Sequence, residues 1–229
     1  MPINHNPYLE KLSPWSSHSQ IVAILKSLPK KSRVLDIGTA DGLIARLSKA
    51  SEIDFYGIEP RIEWAKEAEK YYEAIWVGLI EDAPQVFLSN DYDAIVFADV
   101  LEHTIDPSSI LVHLVALQKP GCKIIISVPN VANLWVRLNL LFGRFDYTER
   151  GILDKTHLRF FTHKTLIKMV QQAGLTIDCV EVTPIPLELV SSFFLSSTGA
   201  VVFHIFAALT KLFPTILGYQ FIIQAKKHE

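Results

Sequence analysis

Cysteine is scarce in this 229-residue chain, and neither basic nor acidic side chains dominate it. Cys122 and Cys179 cannot form a disulfide framework, and both lie in apolar runs, where we expect buried free thiols of a reducing compartment. The formal net charge of −2, without any run of basic residues, gives no electrostatic footprint for nucleic acid. The N-terminal stretch lacks the basic and apolar regions of a signal peptide, so we expect a cytoplasmic protein.

The chain does contain a regular alternation of short apolar runs and amphipathic helical windows. The run CKIIISVPN is continuously apolar, which is typical of a strand buried on both faces of a parallel sheet. Strands and helices at this spacing predict βαβ units in an open, doubly wound α/β sheet. Two later segments, LTIDCVEV and GYQFIIQAKK, predict closing strands that pair as an antiparallel hairpin. We predict a single domain over residues 1–229.

The stretch VLDIGTADG places Asp36, Gly38 and Gly42 at the turn from the first strand into its helix. Ligands of such sheets bind outside the carboxyl ends of the strands, and glycines there allow backbone N–H groups to approach closely. Glu59 ends the second strand, where a carboxylate can accept both hydroxyls of a ribose. The spacing differs from a dinucleotide fingerprint, because Ala40 stands where its second glycine would be. A nucleoside site is favoured; an ordinary strand-to-helix turn is the alternative.

Three motifs, VLDIGTADG, YGIEP and YDAIVFADVLEHTIDP, closely resemble those of class I S-adenosylmethionine-dependent methyltransferases over about residues 15–175. The nearest group is the small-molecule branch that includes ubiquinone-biosynthesis O-methyltransferases and methyltransferases of glycan and lipid clusters. The resemblance implies S-adenosylmethionine as the cofactor. It also implies a Rossmann-like, mostly parallel seven-stranded sheet with an antiparallel C-terminal strand and an inserted lid.

The same resemblance implies which residues contact the cofactor. The acid before the glycines and the glycine loop would hold the methionine end, and the acid after the second strand would hold the ribose. Two residues after the third strand would flank the adenine, and the end of the fourth strand would line the sulfonium side. The methionine end would be held by Asp36 and by Gly38, Thr39, Ala40 and Gly42 of the loop, and the ribose by Glu59. Ile80 and Glu81 would flank the adenine, and Ala98 and Asp99 would line the sulfonium side. No metal ligands are predicted.

The stretch GILDKTHLRFF combines an acid, an imidazole and a guanidinium with two phenylalanines. A hydroxyl or amine that accepts a methyl group must lose a proton, and histidine is the base suited to neutral pH. His103, just beyond the fourth strand, and His157 are the candidates; a structural hydrogen bond is the alternative for each. Asp154 could orient His157 as in a catalytic triad, and Arg159 could clamp an acidic group of the acceptor. A salt bridge between Asp154 and Arg159 is the alternative.

Three segments are expected to flank the sheet: a cap helix within residues 1–30, an acceptor-side lid over 131–162, and an apolar helical insertion over 187–217. Residues 189–210 are apolar and long enough to cross a bilayer. A span would place the two closing strands on opposite sides of the membrane, where they could not pair. The interior SSTG instead predicts shorter helices with a break, packed on the core, in a homodimer or peripherally on a membrane.

The leading hypothesis is an enzyme that moves a methyl group to a hydroxyl, in preference to an amine, of a small or lipid-linked metabolite. The alternative is a catalytically silent, cofactor-binding scaffold that docks on a membrane or a partner through residues 187–217. Nicotinamide-dependent oxidoreduction is disfavoured by the glycine spacing, and nucleic-acid methylation by the charge.

Overall fold

Seven strands form one mixed sheet in the computed structural model, which describes residues 13–227. The strands are β1 (Arg33–Ile37), β2 (Asp54–Glu59), β3 (Ala74–Val77), β4 (Ala94–Ala98), β5 (Lys123–Pro129), β6 (Leu175–Thr183) and β7 (Gln220–Lys227). Their order across the sheet is β3-β2-β1-β4-β5-β7-β6. Strands β1 to β5 are parallel, whereas β7 runs antiparallel to both β5 and β6. The predicted fold class and the closing antiparallel hairpin are confirmed.

Helices connect the strands and flank the sheet, and their ends follow the capping rules. Asp106 accepts a hydrogen bond from the backbone N–H of Ser109, with Pro107 in the first turn. Thr162 and Thr165 form a reciprocal capping box at the start of another helix. The helices are α1 (Ser17–Leu25), α2 (Leu43–Ser48), α3 (Ile62–Ala68), α4 (Gln85–Leu88), α5 (Pro107–Ala116), α6 (Leu134–Leu141), α7 (His163–Gln172), α8 (Leu187–Val190), α9 (Ser197–Leu212) and α10 (Pro214–Leu217).

The core lies on both faces of the sheet, because successive side chains of a strand point to opposite faces. In β5, Ile124 and Ile126 belong to one buried cluster, whereas Ile125 belongs to the other. All three are fully buried, as a continuous apolar strand predicts. The strand order reverses between β1 and β4, so the carboxyl ends of these two strands border the crevice where such sheets bind ligands.

Helices lie in both the predicted cap segment and the predicted apolar insertion. Helix α1 lies within the predicted cap segment, of which residues 1–12 fall outside the described part of the chain. The apolar insertion contains a short 3₁₀ turn (Ser192–Leu195), and α9 then starts after the N-cap Ser196, so the break predicted at SSTG is present. Among residues 13–227, no helix combines the length and apolarity needed to cross a bilayer.

The predicted burial of both cysteines is wrong for one of them. Cys122 is buried, but Cys179 is exposed. Cys179 lies on β6, which is an edge strand of the sheet, and the pairing of β6 with β7 shifts register between Ile177 and Cys179. Such an irregularity changes the face to which the following side chains point, which explains the exposure.

Candidate active site

The glycine loop contains three residues in the left-handed backbone region: Gly38 at φ +74°, Ala40 at φ +46° and Gly42 at φ +83°. A Cβ atom on Gly38 would lie only 2.7 Å from Cγ2 of Val100, so both the backbone and the space require glycine there. Ala40 adopts the same region with a side chain, which carries a conformational cost. The loop is therefore a tight turn that brings its backbone against the end of β4.

Glu59 fixes this loop onto the end of β2. Its Oε2 accepts a 2.8 Å hydrogen bond from Ala40 N, and its Oε1 accepts a 2.9 Å bond from Arg61 N. A carboxylate offers about four lone-pair sites, so each oxygen retains one for a further donor. Burial raises the pKa of Glu59 above its usual value, and the two backbone donors partly offset this effect. Glu59 is thus oriented, and both its oxygens can accept from a ligand.

Asp36 is buried at the end of β1, with one oxygen paired and the other not. Its Oδ2 accepts a 2.6 Å hydrogen bond from the hydroxyl of Tyr72. Its Oδ1 has no hydrogen-bond partner within residues 13–227. Burial raises the pKa of Asp36 to about 7; the Tyr72 hydroxyl opposes this rise and the Glu59 carboxylate adds to it. Tyr72 is not predicted from the sequence, because it follows a helix without belonging to any motif.

The residues predicted to flank an adenine lie beside Glu59. Gly78 N, just after β3, donates a 3.1 Å hydrogen bond to the backbone carbonyl of Glu59. Ile80 and Glu81 follow in a 3₁₀ turn, where Ile80 is half-buried and Glu81 is exposed. Thr39 is buried in the glycine loop on the other side of β2. The ends of β1, β2 and β3 therefore bring most of the predicted cofactor-binding residues to one edge of the sheet.

Asp99 adopts φ +58° directly after Ala98, the last residue of β4. Its Oδ1 accepts 2.7 Å hydrogen bonds from the hydroxyl of Ser127 and from Nε2 of Gln220. These donors lie on β5 and β7, so three strand ends hold this one carboxylate. Neither donor is predicted from the sequence: Ser127 is brought to Asp99 by the pairing of β4 with β5, and Gln220 by the insertion of β7 next to β5.

His103 and His157, the two predicted bases, face each other with ring centroids 4.8 Å apart. Nδ1 of His157 lies 3.1 Å from the carbonyl oxygen of Ile152. Because a carbonyl can only accept, Nδ1 carries the proton and Nε2 keeps its lone pair. Burial lowers the pKa of His157, and the nearby imidazole of His103 lowers it further. A neutral His157 with a free Nε2 lone pair is the form that a general base requires.

Glu102 completes this cluster and was not selected from the sequence, although it directly precedes His103. It is 1% exposed, and neither carboxylate oxygen has a hydrogen-bond partner within the described chain. Burial raises the pKa of Glu102 well above its usual value, and Asp99 adds to this rise. Glu102, His103 and His157 each offer one ligand atom, all within 4.8 Å of one another. Such a set can share a proton or hold a divalent cation.

The predicted triad pairing of Asp154 with His157 is wrong. Oδ1 of Asp154 instead accepts hydrogen bonds from the backbone N–H of Thr156 at 2.8 Å and from its hydroxyl at 2.7 Å. The same hydroxyl lies 3.2 Å from Nδ1 of His103. Residues 154 and 156 are close in sequence, and the turn between them satisfies the carboxylate locally. Asp154 therefore reaches His103 through Thr156 rather than His157.

Arg159 donates from Nε, at 3.0 Å, and from Nη2 to the carbonyl oxygen of Ile105. The alternative salt bridge is not formed, since no ion pair joins the described side chains of Asp154 and Arg159. The backbone of Arg159 donates a 3.0 Å bond to the carbonyl oxygen of Glu102, which ties this stretch to the imidazole pair.

An open groove of about 320 Å³ lies beside the guanidinium, lined also by Phe160 and Lys168. None of its lining residues belongs to the glycine loop.

Comparison with known proteins identifies the family. The methyltransferase domain family matches residues 15–180. The chain is 28% identical to a ubiquinone biosynthesis O-methyltransferase of Aeromonas salmonicida over 153 residues, 63% of each chain. It is 24% identical to the human mitochondrial ubiquinone biosynthesis O-methyltransferase over 180 residues, 69% of this chain and 47% of that one. The matches thus span less than two thirds of the length of either relative.

A solved structure gives the same fold. The S-adenosylmethionine-dependent methyltransferase from Archaeoglobus fulgidus superposes with a TM-score of 0.61 at 20% identity, covering 93% of this chain and 95% of that one. Identity at that level shows the fold alone, whereas the family match covers most of the described sheet. The chain therefore belongs to the methyltransferase domain family, which confirms the resemblance seen in its motifs.

Proposed function

We propose that the protein is an S-adenosylmethionine-dependent methyltransferase that acts on a hydroxyl group. The observation that carries this proposal is the imidazole pair of His103 and His157, at the carboxyl end of the strand next to the glycine loop. His157 is held neutral with its Nε2 lone pair free, as a base for a hydroxyl requires. A site for a cofactor alone would not need that pair.

The residues at the strand ends fit the cofactor. The unpartnered, buried Oδ1 of Asp36 suits the ammonium group of the methionine end. The oriented carboxylate of Glu59 retains lone pairs for two ribose hydroxyls. The absent Cβ of Gly38 leaves the loop backbone close to the end of β4. Each of these three features matches a part of the same molecule.

We assign the remaining cofactor contacts by position. Thr39, Ala40 and Gly42 belong with Gly38 and Asp36 at the methionine end, while Ile80 and Glu81 border the adenine. Ala98 and Asp99 line the sulfonium side, where Ser127 and Gln220 fix the carboxylate. When bound, the cofactor supplies a methyl group on a positively charged sulfur. The residues assigned here are Asp36, Gly38, Thr39, Ala40, Gly42, Glu59, Ile80, Glu81, Ala98 and Asp99.

The chain's own contribution to the reaction is to position the acceptor and take up its proton. Nε2 of His157 accepts the proton as the acceptor's O–H bond breaks, and His103 stabilises the ring orientation from 4.8 Å. Asp154 acts indirectly, by fixing Thr156 against His103. Arg159 keeps donors that its bond to Ile105 does not use, and these suit a carboxylate or phosphate on the acceptor.

For the acceptor we propose a hydroxyl on a small or lipid-linked metabolite. Two relatives carry the name ubiquinone biosynthesis O-methyltransferase, which supports oxygen rather than nitrogen as the nucleophile. We further propose that the protein works in the cytoplasm, without a nucleic-acid partner. Apolar side chains exposed along residues 187–217, among them Phe193 and Ile205, support peripheral contact of that segment with another surface.

A labelling and partition experiment tests the function. The purified protein is incubated with methyl-labelled S-adenosylmethionine and an extract of its source cells, and the organic and aqueous phases are then separated. Label in the organic phase identifies a lipid or lipid-linked acceptor, and label in the aqueous phase identifies a soluble metabolite. Calorimetry that shows cofactor binding, together with no transfer of label to either phase, would contradict the enzyme and favour the silent scaffold.

A further inference from the structure

Helix α6 is apolar on nearly all sides, yet it is almost uncovered. Of its residues Leu134–Leu141, only Val136 is buried. Trp135 is 51% exposed and Leu141 is 76% exposed, and the C-cap residue Phe142 is 74% exposed. A helix that is hydrophobic all round is normally buried. Within residues 13–227, nothing supplies the missing cover.

Helix α9 shows the same imbalance over a greater length. A narrow stripe of it is buried, formed by Gly199, Phe203, Ala207 and Thr210. Large apolar side chains at the intervening positions remain exposed. They are Val201, Val202, Ile205, Leu209 and Leu212. Exposed apolar area of this extent on a soluble domain marks a surface for interaction.

The N-terminal end of α6 is hydrogen-bonded to α10, the short helix that follows α9. Nδ2 of Asn133, the N-cap of α6, donates to the carbonyl oxygens of Leu217 at 3.2 Å and Gly218 at 2.9 Å. These residues end α10, which follows α9 directly. Nδ2 of Asn130 adds a 3.2 Å bond to the carbonyl oxygen of Thr215 in α10. We use the term apolar edge for the exposed apolar side chains of α6, Phe142 and α9.

The charges on this edge have one sign. Residues 130–145 and 189–227 contain no aspartate or glutamate. The exposed cations Arg137, Arg144 and Lys211 lie within or beside the two helices. A two-fold pairing of identical copies through α6 or α9 would bring Arg137 or Lys211 of the two copies close together, and neither helix carries an acidic side chain to offset them. Anionic lipid headgroups, in contrast, complement them. Trp135 is of the type enriched at membrane–water interfaces, and Phe142 is of a type found on the apolar face of interfacial helices.

We propose that the apolar edge docks on the surface of an anionic lipid bilayer, with α6 and α9 in the plane of the headgroups. A chain of aromatic contacts leads from this edge to the imidazole pair. Phe145, which closely follows α6, contacts Phe160 at 5.6 Å between ring centroids, and Phe160 contacts His157 at 6.2 Å. These packed rings connect the apolar edge to the imidazole pair. Docking goes beyond the proposed function and is measured without turnover.

Vesicle sedimentation tests the proposal on the full chain. Vesicles of phosphatidylcholine alone are compared with vesicles of phosphatidylcholine mixed with phosphatidylglycerol. We expect binding to the anionic vesicles that weakens as salt screens the cations, and much weaker binding to the neutral ones. The double variant Leu141→Ser, Phe142→Ser should bind anionic vesicles about tenfold or more weakly. In the unmodified protein both side chains move from water into the membrane interface on docking, and the serines remove this gain.

A matched control separates docking from general loss of apolar surface. Val86 is 78% exposed and Ile62 is 51% exposed, and neither belongs to the apolar edge. The double variant Ile62→Ser, Val86→Ser should bind vesicles as the unmodified protein does. Failure of the unmodified protein to sediment with anionic vesicles would overturn the proposal. So would a dimer in sedimentation velocity that Leu141→Ser, Phe142→Ser dissociates, because the edge would then be a subunit interface.

Discussion

The hydroxyl of Tyr72 donates a 2.6 Å hydrogen bond to Oδ2 of Asp36, and both side chains are buried. The bond joins the end of β1 to the turn that follows α3, 36 residues later. It occupies one carboxylate oxygen and leaves the other, Oδ1, without a partner in the described chain. Tyr72 therefore decides which oxygen of Asp36 is available to a ligand.

Replacing Tyr72 by phenylalanine should weaken both the fold and the cofactor site. Oδ2 of Asp36 would lose its donor while staying buried, which costs about 1–3 kcal/mol in the free energy of unfolding. Loss of the bond also raises the pKa of Asp36 further, because the Tyr72 hydroxyl lowers it. A smaller fraction of Asp36 is then ionised at neutral pH, and the affinity for S-adenosylhomocysteine falls. Urea unfolding and calorimetry measure the two effects. Tyr71→Phe, at the neighbouring half-buried tyrosine, should change neither, and an unaltered Tyr72→Phe variant would contradict the role assigned to this bond.

Asp36 should make the stability of the protein fall as the pH rises towards neutrality. Its folded pKa of about 7 lies above the ordinary value of 3.8, so the folded state holds the proton more tightly. The stabilisation is complete below the unfolded pKa and is lost as the pH rises through the folded one. In Asp36→Asn this dependence is absent. The free energy of unfolding of the unmodified protein, minus that of the variant, should fall by roughly 1.4 kcal/mol per pH unit between the two pKa values. Parallel curves would mean that Asp36 ionises normally.

Ala40→Gly should stabilise the protein. Ala40 has φ +46°, and an L-residue pays about 1–2 kcal/mol for this region while glycine does not. Glycine has more conformational entropy than alanine in the unfolded chain, and this offsets part of the stabilisation. The net increase in the free energy of unfolding is about 0.5–1 kcal/mol. The control is Ala45→Gly in the middle of α2, at a buried alanine of ordinary helical conformation. Ala45→Gly should lower the free energy of unfolding by about 1 kcal/mol. The denaturation midpoints of the two variants should therefore move in opposite directions, and a shift of both in the same direction would contradict the strain at Ala40.

His157→Asn should abolish most turnover and spare cofactor binding. Loss of a general base lowers the rate by about 10²–10⁴-fold, whereas the cofactor residues are untouched. In the unmodified protein, the proposed methyl-transfer rate should fall as the pH drops through a value below 6.5, because burial lowers the pKa of His157 and only the neutral ring accepts a proton. Initial rates and calorimetry across pH provide the measurement. His113→Asn, at an exposed position of α5, should behave as the unmodified protein. A rate unaffected by His157→Asn would remove His157 from the reaction.

The sequence predicts the parallel sheet well, because apolar runs such as CKIIISVPN and the turn VLDIGTADG carry local signals of strand and loop. It predicts less about how polar side chains pair. The hydroxyl that binds Asp36 and the amide that binds Asp99 lie 36 and 121 residues away, and the sequence gives no sign of either partner. The hydrogen-bond partners of His157 and Asp154 are also not predictable from the sequence, although they lie only a few residues away. Both are satisfied by nearby backbone or turn groups, namely Ile152 and Thr156, which sequence spacing alone does not single out.

Strand β7 enters the sheet between β5 and β6, and this position imposes an order on the assembly of the site. A chain emerging from the ribosome can pair β1 to β5 as they appear, since these strands are neighbours in the parallel half. Once Thr183 has emerged, β6 still has no neighbour to join, and Asp99 still lacks the amide of Gln220. The carboxylate at the end of β4 can receive its bond from Ser127 once β5 is paired, but it has both donors only after synthesis has passed residue 220. The donor that β7 supplies to this carboxylate is therefore synthesised well after the glycine loop, which is complete at Gly42.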